Sequence, residues 1–464
     1  MSRKKWYEYI PHPVVMLFGI ILLTAALSYI LPAGQYEREL VDGRERVIPG
    51  TYHIMEDAPP LSVLDIFKSL PLGFIAASPI IFVVLISGVM FGILEESKMV
   101  ENTVGTIVRK LGLNRRYALV FLMTYLFGML GVVVGYENNI AMVPIAAVMS
   151  LALGGDLILA AGMSVGAITV GFGLSPINPY TVGVGHSIAE LPLFSGAALR
   201  SALCFLGLTV LAIYNVRYFK KIAAHPESGL GIGLDTSGLG LTNSLDEYRM
   251  TTNNWLVLGV FLGGLGIMLY GIFAYEWFIN EISAVFAMIA IVSGLVAGMS
   301  GQRISEVVLR SIAVVAPGAF MVGYATAIKV LMETGNINDT IAYHLSTILM
   351  GLPTYASAIC MSLSQSVINF LIPSGSGQAL ATLPIMIPIG DILGLTRQTT
   401  ILAFQIGDGV TNLVNPTLGG LIAMLSMCRV PFDRWLRYIF PVLGVILLVA
   451  WGGLLGSVFI VWGG

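Results

Sequence analysis

The sequence predicts an all-α integral membrane protein built from two inverted repeats, with nine transmembrane crossings and two re-entrant helical hairpins. Three observations carry that expectation. Of 464 residues, 56% are hydrophobic and 11% charged, whereas a soluble domain carries roughly 25% charged residues. Apolar runs of about 20 residues recur, each enough to cross ~30 Å of hydrocarbon. Several of these runs are interrupted by polar clusters, and the interruptions recur in the second half of the chain.

The basic N-terminus (Arg3, Lys4, Lys5) leads into an apolar run from His12 to Leu31. That run is long enough for a first transmembrane helix, 12–32, and too long for a cleaved signal core. Uninterrupted spans follow at 71–94, 199–218, 254–275, 280–299, 311–332 and 438–461. Four further apolar stretches are broken. Residues 117–155 contain the cluster Gly135 to Asn139, and residues 354–395 contain Pro373 to Gln378. Residues 157–190 are broken at Ser175 to Pro179, and 398–427 at Thr411 to Pro416. Irregular backbone at membrane depth survives only where protein buries it or a cavity lies beside it. The first pair is read as re-entrant hairpins and the second as crossings. With the N-terminus cytoplasmic, Lys and Arg then divide 17 inside to 7 outside, the bias that positive-inside sorting demands.

The halves match at offsets of 237 to 240. Glu96 to Thr103 pairs with Glu333 to Thr340, Gly135 to Ile145 with Gly375 to Ile385, and Asn178-Pro179 with Asn415-Pro416. The expected organisation is an N-terminal helix and external loop (1–60), then a first repeat (61–221). A flexible cytoplasmic linker (222–252) and connecting helices (253–302) lead to a second repeat (303–464). Paired broken helices in inverted repeats mark secondary transporters, with the site near the midplane where the breaks meet.

A hairpin tip that opens a half-helix presents free N–H groups and a positive dipole end, suited to a carboxylate. Substrate contacts are therefore expected from Glu137, Asn138, Asn139, Asn178, Ser374, Gly375, Ser376, Gly377, Gln378 and Asn415. Carbonyls freed at the end of a broken half-helix, with nearby neutral oxygens, suit a hard cation. Asn138, Ser175, Asn178, Ser376, Asp408, Thr411, Asn412 and Asn415 are the expected cation set, with Na+ as coupling ion and no other cofactor. Any one such polar residue could instead make an interhelical hydrogen bond, worth ~0.6 kcal/mol. Intramembrane carboxylates such as Glu137 and Asp408 are costlier, roughly 2.5–3.5 kcal/mol if charged at mid-bilayer. His186 reads as a packed hydrogen-bonding residue and Arg200 as an anchor near the outer surface.

Other classes lack support. Net charge is −2 with no basic block, against a nucleic-acid partner. Cys204, Cys360 and Cys428 are scattered, against a disulfide or zinc framework. Gly375-Ser-Gly377 lacks nucleophile-elbow spacing, and there is no Walker A sequence. No enzyme is expected. A gated channel, the alternative, would also use broken helices and polar tips.

Asn369-Phe-Leu-Ile-Pro-Ser-Gly-Ser-Gly-Gln378, and Phe404-Gln-Ile-Gly-Asp-Gly409 leading to Asn415-Pro416, resemble the YfcC-like branch of the anaerobic C4-dicarboxylate carrier family, in the ion transporter superfamily. The resemblance runs from about residue 12 to 460. It implies an inner-membrane homodimer whose mobile transport domain moves against a fixed scaffold, by an elevator mechanism. Relatives handle dicarboxylates, basic amino acids or aminobenzoyl-glutamate. The first hairpin has Glu137-Asn-Asn139 in place of an acidic pair, so the substrate class stays open. The reading is an ion-coupled secondary transporter of a small carboxylate or amino acid.

Overall fold

A chain this poor in charge must satisfy its peptide groups internally, and it does so in helices. The computed structural model describes residues 13–41, 44–48, 50–56, 58–239, 247–275, 277, 279–349 and 352–463, and most of them are helical. Helices stand at every uninterrupted run: Pro13–Ile30, Ser78–Glu96, Ala197–Ala224, Thr252–Tyr275, Ile279–Val296, Gly301–Thr334 and Phe432–Phe459. Among the described residues, five helices are long and apolar enough to cross a membrane alone. Gly301–Thr334 qualifies as two segments, Gly301–Pro317 and Val322–Thr334, bent by 46°. The bend follows Pro317, which lacks an N–H and whose ring crowds the turn before it. The chain is a multi-pass membrane protein.

The expected span 71–94 is divided. Helix Val63–Ala76 ends at Ala77, and a new helix starts at Ser78 with Pro79 in its first turn. Proline is preorganised to open a helix and cannot donate within one. Because the flanks are apolar, hydropathy alone does not reveal this break.

The stretch after the first helix carries two short antiparallel ribbons, Gly34–Gln35 with His53–Ile54 and Arg38–Val41 with Arg44–Val47. Asp339 accepts from Tyr36 N at 2.9 Å and from Arg38 Nη2 at 2.8 Å, which fastens the ribbon to helix Asn338–Leu349.

The linker differs from expectation. Its first residues extend helix Ala197–Ala224, and 226–239 form a strap held at both ends. Asp156 caps helix Leu157–Ala161 through Leu159 N and also accepts from Tyr218 Oη and Gly231 N. At the other end Arg429 donates to Ser237 O at 2.6 Å and pairs with Asp235 at 3.3 Å. Arg434 donates to Leu230 O at 2.6 Å. Glycine-rich composition suggests a free linker, but distant cations and a carboxylate supply it with partners. Residues 240–246 lie outside the described ones.

Two packing groups emerge. Helices Pro13–Ile30, Val63–Ala76, Ser78–Glu96, Ile279–Val296 and Gly301–Thr334 pack together. Gly73 brings two of them into backbone contact, since a Cβ there would lie 2.6 Å from Gly323 O. Glu96 closes one end with Arg303 and Arg310 at 2.6 and 2.7 Å. The four interrupted stretches pack with Ala197–Ala224 and Phe432–Phe459, while Glu137–Met142 and Gly419–Met427 also pack against the first group, on Ser78–Glu96 and Gly301–Thr334 respectively. The long helices Ser78–Glu96 and Gly301–Thr334 thus belong to one group and the broken elements mainly to the other.

Candidate functional site

The breaks form where their side chains replace helical hydrogen bonds. Helix Arg116–Val134 stops at Gly135, whose φ of 106° is a left-handed-region value that favours glycine. Asn139 Nδ2 then donates to Gly135 O at 2.6 Å, and a short 3₁₀ turn, Glu137–Met142, leads into helix Val143–Ala152. In the second repeat, helix Thr354–Leu371 ends before Ser374, whose hydroxyl accepts from Gly377 N and caps helix Gly375–Ile392. Gln378 Nε2 reaches Gln365 Oε1 at 2.7 Å, and Thr382 Oγ1 reaches it at 3.2 Å. Residues 17 apart in a straight helix would stand ~25 Å apart, so this segment doubles back as a hairpin.

The two broken helices cross. Helix Ala167–Gly173 ends in an irregular stretch that runs to Asn178. Helix Arg397–Gln405 passes into a π turn, Ile406–Val410, a 3₁₀ turn, Thr411–Leu413, and helix Gly419–Met427. Single π turns often mark functional positions. Gly173 meets Gly409 backbone to backbone: a Cβ on Gly173 would lie 2.6 Å from Gly409 C. The two glycines stand 236 residues apart, near the offset at which the halves match.

Around it lies a cavity of about 250 Å³. Of the expected site residues, Glu137, Asn138, Ser374, Gly375, Ser376, Asp408 and Asn412 line it. Both hairpin tips therefore meet the second break, and Phe172 and Tyr180, on either side of the first, border the same cavity. The remaining expected residues lie off the wall, with contacts of their own. Ser175 Oγ donates to Val132 O at 3.1 Å, and Asn178 Oδ1 accepts from Tyr180 N at 2.8 Å. Thr411 Oγ1 donates to Gly407 O at 2.5 Å. Asn415 Nδ2 donates to Asn369 O at 3.0 Å, and its Oδ1 accepts from Thr417 N. Asn139 pins the first tip, and Gln378 braces the second hairpin. Around Gly377 a Cβ would meet only Ser374, at 3.0 Å, whereas on Gly375 it would lie 2.7 Å from Thr181 Cγ2.

Similarity to known proteins follows the same extent of chain. The model of the C4-dicarboxylate anaerobic carrier family (DcuC) matches residues 10–459. The chain belongs to that family. It is a membrane carrier and not an enzyme. It is 28% identical to the "Putative basic amino acid antiporter YfcC" of Escherichia coli strain K12, over 95% of this chain and 94% of that one. An uncharacterized protein of Haemophilus influenzae is 25% identical over 97% of each. The solved YdaH transporter of Alcanivorax borkumensis is 17% identical, with a TM-score of 0.47 over 97% of this chain and 99% of that one.

Several residues outside the expected site set hold the elements around the carrier's cavity together. Asn369 is the main one: its Nδ2 donates to Asp408 O at 2.7 Å and to Asn412 Oδ1 at 2.8 Å, stitching the second break to the hairpin. Trp435 Nε1 donates to Leu413 O at 2.7 Å. Near the second break the carbonyls of Gly407, Asp408 and Leu413 thus each accept a side-chain hydrogen bond. The Asp408 carboxylate is different. It is 1% exposed, and neither oxygen has a hydrogen-bond partner among the described residues. Lys329 and Thr326 on the bent helix, Tyr136, Tyr180 and Ala77 complete the wall. Lys329 borders the cavity and pairs with Glu333 at 3.6 Å.

Arg200 is not a surface anchor. It is fully buried, donating to Gln405 Oε1 at 3.0 Å and Gln398 Oε1 at 2.9 Å, with its guanidinium 4.8 Å from the Trp462 ring centre. Gln405 Nε2 continues to Ser175 O at 2.6 Å, so this network ties the first break to the second broken helix. His186 bonds through both ring nitrogens, to Gln398 and to Phe194 N.

Proposed function

We propose that the protein is an ion-coupled secondary active transporter of a small carboxylate or amino acid, with Na+ as coupling ion. The observation that carries this is the buried Asp408 carboxylate, without a partner and set in the cavity against the N-terminus of helix Gly375–Ile392. A carboxylate left unpaired at such depth is expensive, and a bound cation removes the expense. The helix end, with the N–H groups of Gly375 and Ser376 and the Lys329 ammonium on the far wall, suits the anionic end of a substrate. Glu137 can receive a substrate ammonium where one is present.

An elevator movement fits the packing. The cavity lies between the two groups, with Ala77, Ile80, Thr326 and Lys329 on one side and the tips and breaks on the other. We take the group of Ser78–Glu96 and Gly301–Thr334 as scaffold and the hairpin group as the moving part. Nine crossings with both hairpins re-entrant, an inner-membrane location with the N-terminus cytoplasmic, and a homodimer complete the reading.

The test is reconstitution into liposomes. Radiolabelled glutamate, succinate and lysine are offered under an inward Na+ gradient, with choline as control, and counterflow is measured for any that enters. Saturable uptake that accelerates counterflow and requires Na+ is the expected result. Conductance without exchange would replace the carrier reading with a channel, and uptake indifferent to Na+ would remove sodium coupling.

A further inference from the structure

Five cations crowd one end of the helix pair Arg116–Val134 and Ala197–Ala224. Arg115 and Arg116 open the first helix, and Arg217, Lys220 and Lys221 stand near the close of the second. The Arg116 guanidinium lies 5.1 Å from the Tyr117 ring centre and 5.3 Å from that of Phe219. Lys220 Nζ lies 5.4 Å from the Tyr117 ring centre, and the two rings meet edge to face at 5.3 Å. Cations from both helices thus gather on one aromatic platform, held by the attraction of positive charge to ring faces. Several other cations near helix ends are neutralised: Glu96 takes Arg303 and Arg310, Asp235 takes Arg429, and Asp433 takes Arg437. Among the described residues none of the five has an ion pair, and no Asp or Glu occurs from 102 to 136 or from 191 to 226. Asp156, two residues from the Gly154 that adjoins Arg116, is already engaged by Tyr218 and Gly231.

Beyond the platform the same helices turn apolar side chains outward. Tyr117, Phe121 and Tyr125 recur every four residues and so share one face. The rings of Phe121 and Tyr125 are 5.3 Å apart, and Tyr125 reaches Phe205 of the other helix at 5.9 Å. Phe121, Leu122, Leu126, Phe205, Leu206 and Ile213 are exposed. Ile213 stands four residues before Arg217, so that apolar and cationic side chains follow one another along one face. In a membrane protein such a face meets acyl chains, and Tyr rings favour the level of the headgroups. Uncompensated cations above exposed hydrocarbon complement an amphiphile with a negative head, whereas a soluble anion would use only the first half of the arrangement.

We propose that this end of the helix pair is a binding site for an anionic phospholipid, with its phosphate on the Arg116 and Lys220 platform and its acyl chains along the Phe121, Leu122 and Ile213 face. The site is separate from the substrate cavity, and neither the substrate nor the coupling ion enters it. Clusters of Lys and Arg at the ends of spanning helices attract anionic lipid, and Arg in particular matches phosphate geometry. Here the rings fix where two of the charges sit, which makes the headgroup contact local.

The experiment is thermal stabilisation of the full-length protein in neutral detergent, after co-purified lipid has been stripped and its removal checked by phosphorus analysis. A ligand that binds the folded state alone raises stability with its concentration. The protein is titrated with dioleoyl phosphatidylglycerol. Dioleoyl phosphatidylcholine supplies the same chains under a zwitterionic head, and sodium phosphate supplies the free anion. Phosphatidylglycerol should raise Tm at a concentration about tenfold or more below that needed of phosphatidylcholine, and phosphate should leave Tm unchanged. Arg115→Gln with Lys220→Gln, both exposed positions, should raise the half-saturating phosphatidylglycerol concentration about tenfold or more while melting near wild type without lipid. If that pair fails to fold, Arg217→Gln with Lys221→Gln takes its place. Lys68→Gln, which removes an exposed cation elsewhere, should keep the wild-type response. Equal effects of the two lipids, or a double variant that responds like wild type, would overturn the site. A shift produced by phosphate alone would make it a free-anion site, and an equal loss in Lys68→Gln would reduce it to diffuse attraction by net charge; either result refutes the proposal.

Discussion

Gly173→Ala places a methyl group where two backbones cross. Its Cβ would lie 2.6 Å from Gly409 C, 2.8 Å from Gly409 O and 2.9 Å from Val410 N. Carbon contacts are favourable near 3.5–4.0 Å, so the broken helices must separate by about 1 Å. Neither side can yield by a rotamer change, because every opposing atom is backbone. Overpacking costs about 1–3 kcal/mol, and a rigid crossing places this variant at the upper end. The displacement also moves the π turn that carries Asp408, so uptake should fall further than stability. The assay pairs a melting curve in detergent with uptake in liposomes. Gly452→Ala, in a helix position with nothing within 4 Å of the new methyl, serves as the control and should melt at or above wild type. Gly173→Ala melting and transporting like wild type would mean that the two breaks do not touch.

Three further outcomes follow from single contacts. Asp408→Asn should raise the half-saturating sodium concentration for uptake about tenfold or more while the protein still folds; an unchanged sodium response would make the carboxylate structural. Lys329→Gln should raise KM for an anionic substrate about fivefold, since one charge at a partly exposed wall contributes ~1 kcal/mol. An unaltered KM would remove Lys329 from the binding surface. Arg429→Ala loses the Ser237 carbonyl and the Asp235 pair, a charge-assisted anchor worth about 1.5–3 kcal/mol. Leu239, the last residue of the strap and 3% exposed, should become reachable: a Leu239→Cys probe should react with maleimide about tenfold faster in the Arg429→Ala background, and equal rates would mean that the strap is held elsewhere.

The sequence by itself determined the class, the helices and the places where they break. These are local properties: hydrocarbon thickness sets the run length, and Gly135, Pro179, Ser374 and Pro416 stand in polar, glycine- or proline-containing clusters that weaken a helix. The repeat offset added that the breaks come in pairs. Polar residue type also singled out Asp408 and the two tips, because a carboxylate in an apolar run has few bland explanations. The break at Ala77 escaped because its flanks are as apolar as a continuous span.

Only the tertiary structure decided which polar groups are consumed by the fold and which remain. Thr411 and Asn415 look like Asp408 in the sequence, but Thr411 satisfies the Gly407 carbonyl near the second break and Asn415 that of Asn369 near the end of helix Thr354–Leu371. Asn369 reads as one more polar residue at a helix end, and yet it closes that break. Arg200 lies where hydropathy suggests an interface, but Gln398, Gln405 and Trp462, about 200 residues or more away in sequence, bury it. The glycine-rich strap is ordered by Asp156 and Arg429, which come from different repeats. Except for Thr411, whose partner lies four residues back, the deciding partner is remote in sequence, and hydrogen-bond satisfaction is a property of the pair. Residue type tells how many bonds a group can make; the packed chain alone tells which are already made.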